Sequence, residues 1–123
     1  METASYDIRF DEQRGLLKLT LRGFWSLGTL DAFRTELVEV AARVRQQHSS
    51  FPVLSDSSAF AVQSVEVADR LGELMLAGAQ VNSGRVAIVV GSILNKKQAE
   101  RAMQAPNLRV FVDKEEALEW LMQ

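Results

Sequence analysis

Residues 86–90 read Val-Ala-Ile-Val-Val, five apolar residues with no polar interruption, between Ser83-Gly84 on one side and Gly91 on the other. An amphipathic strand would alternate, and an amphipathic helix would show polar residues within one turn. An unbroken run this short instead describes a strand buried on both faces, as in a sheet covered by helices. The rest of the chain must therefore supply more strands and the helices that cover them.

It does so in a regular order. Tyr6, Ile8 and Phe10 alternate with Asp7, Arg9 and Asp11, the period of a half-buried strand. Gln13-Arg14-Gly15 reads as a hairpin turn. Leu17, Leu19 and Leu21 then alternate with Lys18, Thr20 and Arg22 in a second strand ended by Gly23. The period next becomes helical: Leu30, Phe33, Leu37, Val40, Ala41 and Val44 form one stripe. Thr29 is the expected N-cap, Asp31 suits the first turn, and the helix is expected to end near Gln47. Pro52-Val53-Leu54 is a short buried strand, reaching at most Asp56. A helix capped by Ser64 follows, with Val65, Ala68, Leu71, Gly72, Met75 and Ala79 on one face. After the 86–90 strand, Asn95 and Gln98 have the spacing of a capping box for a helix running through Met103. Pro106-Asn107 turns the chain into a last strand, 108–112. Asp113 with Glu116 opens a final helix carrying Ala117, Leu118, Trp120 and Leu121.

The order is β-β-α-β-α-β-α-β-α. It predicts an α/β fold: a mixed, mostly parallel five-stranded sheet flanked by helices. No linker or repeat divides residues 1–123, so one domain is expected, and 123 residues suffice for a core. The net charge of −2 and pI near 5.4 give no electrostatic footprint for nucleic acid. No stretch approaches 18 apolar residues, so no integral membrane segment is expected. The start, METASYDIRF, lacks the basic and apolar regions of a secretory signal. With no cysteine there is no disulfide, thiolate metal site or cysteine nucleophile. The default location is cytoplasmic.

Three stretches resemble those of a known group: "LTLRGFWSLGTLDAF" (19–33), "RVAIVV" (85–90) and "LRVFVDKEEALEWL" (108–121). Taken in order, they are similar to the STAS-fold, SpoIIAA-like bacterial proteins, also described as STAS/SEC14 domain-containing. The resemblance spans essentially the whole chain. It implies a non-enzymatic binding or regulatory domain, akin to anti-sigma-factor antagonists and acting through protein contact. The fold's similarity to SEC14 domains implies the alternative, a carrier or sensor of an apolar small molecule or lipid.

The resemblance also implies a phosphorylatable serine at the start of the helix after the third strand, within an Asp-Ser-Ser-Gly sequence. Here Asp56-Ser57-Ser58 is expected at the strand end, and Ser64 is nearer the implied position but lacks the usual Asp and Gly beside it. An N-cap accounts for Ser64 without phosphorylation. Asp56 stands at the carboxyl end of a central strand, where open sheets bind ligands, although an Asp there also makes local turns with following amides. Phe60 and Val62 are expected in the loop after that strand, as a core lid or as the wall of a pocket or interface, with Met75 and Leu71 beneath. Leu76 and Met103 are candidates for the same apolar space.

Lys96 and Lys97 follow a glycine and a helix start, an arrangement for weak anion contact, without the Gly-Lys-Ser/Thr of a nucleotide loop. His48, the one histidine, lies at a helix end with no catalytic or metal-binding companion. No cofactor and no metal are expected. The expected partner is a protein or an apolar small molecule, and a homodimer through apolar loops is compatible with these features.

Overall fold

The computed structural model describes residues 3–123; Met1 and Glu2, which begin the METASYDIRF segment, lie outside the described residues. The elements follow the order read from the sequence: β1 (Ser5–Asp11), β2 (Leu16–Gly23), α1 (Leu27–Arg45), β3 (Val53–Phe60), α2 (Val65–Val81), β4 (Val86–Val90), α3 (Ile93–Ala102), β5 (Leu108–Phe111) and α4 (Lys114–Leu121). The five strands form one sheet in the order β1-β2-β3-β4-β5. β1 pairs antiparallel with β2, and every other pairing is parallel.

This topology decides where the helices go. Each of α1, α2 and α3 joins neighbouring parallel strands stepping in one direction, and right-handed crossovers place all three on one face. Leu30 and Phe33 of α1 and Val67, Met75 and Ala79 of α2 pack there with Leu17, Leu19, Leu21, Val53, Ile88 and Val90. α4 covers the opposite face alone, where Ala117 and Leu121 meet Leu16, Leu54, Ala87, Val89 and Phe111. All five residues of β4 are buried because alternate side chains enter these two cores.

Several boundaries differ from the sequence reading. The first helix is capped by Ser26, not Thr29: the Thr29 amide donates to Ser26 Oγ at 3.2 Å. Both residues are good caps, and the earlier one wins because the chain turns directly after the buried Trp25. That helix stops at Arg45, with Gln46 as its C-cap. The third helix opens at Ser92, whose Oγ accepts from the Asn95 amide at 3.1 Å, so Asn95 is its third residue and not its cap. It ends at Ala102, one residue short of Met103. β5 ends at Phe111, leaving Val112 outside.

The largest difference lies in β3. The expected three-residue strand is eight residues long and carries Asp56-Ser57-Ser58 and Phe60 inside it. Only 61–64 is left as loop before α2. Polar residues fit inside this strand because a bulge interrupts its pairing. Thr20 faces Asp56, but Arg22 faces Ala59, so Ser57 and Ser58 both stand opposite Leu21.

Candidate functional site

Asp56 builds the bulge. Its Oδ1 accepts from the Ser58 amide at 3.1 Å and from Ser58 Oγ at 2.7 Å. Its Oδ2 lies 3.5 Å from Lys114 Nζ at the start of α4. Burial pushes the carboxyl pKa up, but the two Ser58 hydrogen bonds and the Lys114 charge outweigh it and hold the group below its ordinary value. Asp56 and Ser58 therefore belong to the α4 face of the sheet.

The opposite face carries a cavity. It lies between α2 and α3 at the carboxyl end of β3 and β4, with a volume of about 370 Å³. Strand alternation brings Ser55 and Ser57 into it, and β4 adds Ile88 and Val90. The cavity exists because the two helices face each other with small residues. α2 lines it with Ala68 and Gly72, and α3 with Ala99 and Ala102. A Cβ on Gly72 would first meet Met103 Cγ, at 3.9 Å. Phe60, Val62, Leu71, Met75 and Met103 complete the apolar wall.

Apart from Gln63, the polar lining is unengaged. Ser55, Ser57, Asn95 and Gln98 make no side-chain hydrogen bond among the described residues. Asp69 is the one charged residue in the lining.

Gln63 holds the mouth in place. Its Oε1 accepts from the Trp25 amide at 2.8 Å, and its Nε2 donates to the carbonyls of Gly23 at 2.9 Å and Ala61 at 2.6 Å. The 61–64 loop is thereby tied to the β2–α1 junction. Gly23 has φ +77°, and a Cβ there would approach Thr3 O at 2.8 Å, so the junction requires glycine. Phe60 rests edge-on against Trp25, with ring centroids 5.0 Å apart.

The residues singled out from sequence thus divide. Ser57, Phe60, Val62 and Met75 come together around the cavity, whereas Asp56 and Ser58 lie across the sheet. Ser64 is the exposed N-cap of α2, its Oγ accepting from the Val67 amide at 3.2 Å, and it does not line the cavity. Leu76 does not line it either. Lys96 and Lys97 lie on α3 beyond its first turn and are absent from the cavity lining. The His48 ring lies 5.2 Å from that of Phe10, tilted by 57°, and does not line the cavity. Sequence reasoning missed Ser55, Gln63, Asp69, Asn95, Gln98, Ala99 and Ala102. The period-two placement of Val53, Ser55 and Ser57 carried part of that signal, and the 95/98 spacing marked a helix face as well as a cap.

Among the described residues, no cluster of three His, Asp or Glu could hold a metal ion, and no helix is long and apolar enough to cross a membrane.

No protein-family model matches the chain, and no curated protein does. Solved structures do match. One is an uncharacterized protein of the DUF3478 family from Shewanella loihica PV-4, which has a SpoIIAA-like fold. It superimposes with a TM-score of 0.69 at 17% identity, over 98% of this chain and 97% of that one. The chain has a SpoIIAA-like fold. The five-stranded mixed sheet and four helices are those the element order predicted.

Proposed function

We propose that the protein is a non-enzymatic binding domain that holds a small apolar ligand between α2 and α3. The observation that carries this reading is the cavity: about 370 Å³, walled mainly by apolar side chains, with a few unengaged polar groups converging on it. That combination of size and lining is typical of small-molecule sites. Its place, at the carboxyl end of parallel strands, is where open α/β sheets bind ligands. The absence of histidine and lysine from the lining favours binding over reaction, since neither is there to activate the Ser55 or Ser57 hydroxyl.

The test is native mass spectrometry after mild purification, followed by titration of the delipidated protein with medium-chain amphiphiles. A retained apolar mass, or saturable one-to-one binding abolished by Gly72→Leu, supports the reading. A bare protein mass together with no saturable binding sinks it.

A second reading, contact with a protein partner in the manner of anti-sigma-factor antagonists, is favoured by the exposed apolar residues at the same end of the sheet. Val62, Val65, Ile93 and Leu94 are each more than 60% exposed. Leu94→Asp tests it, because Leu94 is 66% exposed and lies outside the cavity lining. Loss of a captured partner with an unchanged melting temperature supports this reading, and retention of the partner counts against it. Ser64 phosphorylation would add a dianion at the N-terminus of α2, and finding Ser64 unmodified after incubation with host lysate and ATP would argue against such a switch.

A further inference from the structure

The ligand's polar end is legible in the charge of the cavity. Asp69 is the single charged residue among those lining it, and it forms no ion pair among the described residues. Among the described residues, no neighbouring cation pairs with it. On α2, Arg70 is held by Glu66, with Nη2 3.2 Å from Oε1. On α3, Lys96, Lys97 and Arg101 are outside the lining, whose α3 members are Asn95, Gln98, Ala99, Ala102 and Met103. No cationic side chain is therefore available within the cavity to hold a carboxylate or phosphate. The remaining polar liners are neutral hydroxyls and amides.

We propose that the cavity selects an apolar molecule bearing a cationic amine and disfavours one bearing a carboxylate; this rests on the ligand-binding reading above. The apolar body lies along Leu71, Met75, Ile88 and Val90, and the ammonium sits at Asp69. Phe60 is the one aromatic residue of the lining. Ser57, Asn95 and Gln98 are available for the amine's other hydrogen bonds.

Isothermal titration with decylamine, decan-1-ol and decanoate, each below its aggregation concentration at pH 7, separates the terms, because the three share one chain and differ in headgroup charge. The expected order is amine, alcohol, carboxylate. An exposed carboxylate supports a preference of about two- to fivefold for amine over alcohol, and a comparable factor for alcohol over carboxylate. Asp69→Asn should bring the three affinities together while leaving the circular-dichroism spectrum and melting temperature unchanged, since Asp69 is exposed and unpaired. Decanoate binding as tightly as decylamine, or an amine preference that survives Asp69→Asn, overturns the proposal. Equal binding of all three by the wild type overturns the amine selection but keeps the cavity reading. No binding of any of the three overturns both.

Discussion

Gly72→Ala is expected to stabilise the protein, and the amount can be worked from the geometry. Gly72 lies within α2, a helix of 17 residues, and its backbone is buried. Glycine in a helix interior costs about 0.5–1 kcal/mol relative to alanine. In most buried helices the added methyl would collide with the packed neighbour. Here its nearest neighbour is Met103 Cγ at 3.9 Å, an ordinary van der Waals contact, so no strain offsets the gain. Burying one more methyl adds up to about 0.8 kcal/mol. The combined stabilisation is about 0.5–1.8 kcal/mol. For 123 residues the unfolding entropy is about 0.26 kcal/mol/K, which converts this into a rise of about 2–7 °C in melting temperature. Thermal and urea melts followed by circular dichroism measure it, with the urea midpoint rising at constant m. An unchanged or lowered melting temperature would refute the claim that α2 and α3 stand apart over open space. Gly72→Leu extends the logic: it should keep the fold and abolish binding of decylamine by filling the space between the helices.

Three further outcomes follow from the contacts. Gln63→Ala removes hydrogen bonds from part-buried backbone groups at the cavity mouth and should cost about 1–3 kcal/mol, with faster amide exchange at Trp25 as the local signature. Ser26→Ala should cost about 1 kcal/mol in a denaturant melt, whereas Thr29→Ala should cost much less, because Ser26 is the cap that the Thr29 amide engages. Asp56 has a folded-state pKa below its unfolded value of about 3.9, so its charge contributes stability that is fully present above that value and is lost as pH falls through the folded pKa. The stability difference between wild type and Asp56→Asn, measured by urea melts, should therefore be constant from pH 5 to 7 and shrink below about pH 4; a difference that grows on acidification would contradict the sign of the shift.

The fold was legible because its signals are periodic. The 86–90 run, the alternation of 17–22 and the helical stripe of 30–44 each survive as elements, since each needs only its own period. Boundaries failed where two residues could do one job, as with Ser26 against Thr29 and Ser92 against Asn95, because an N-cap is chosen by where the chain leaves the sheet. β3 was read six residues too short at its far end because Asp-Ser-Ser-Ala is weakly strand-forming by composition. Pairing to β2 and β4 on both sides overrides that preference, and the pairing partners are distant in sequence. The cavity was half legible. Its apolar wall at Phe60, Val62 and Met75 stood out, but its emptiness is a property of Ala68 and Gly72 facing Ala99 and Ala102 across space, and no local pattern reports an unfilled gap.

The bulge connects the two faces of the sheet in a way that neither face discloses alone. Along β3, Val53, Ser55 and Ser57 point to the cavity side, and strict alternation would continue with Ala59, sending Phe60 toward α4. The extra residue opposite Leu21 reverses the phase, so Phe60 pairs with Gly23 and lands on the cavity side against Trp25. The bulge is held by Asp56 and Ser58, which lie on the far side and do not line the cavity. Asp56→Ala, which removes both Ser58 hydrogen bonds, should therefore weaken ligand binding from across the sheet by releasing Phe60, while Asp56→Asn, which keeps an acceptor at Oδ1, should preserve it. Equally weakened binding in the two variants would show that the Lys114 pair, not the Ser58 hydrogen bonds, carries the effect, and wild-type affinity in both would separate the bulge from the cavity it shapes.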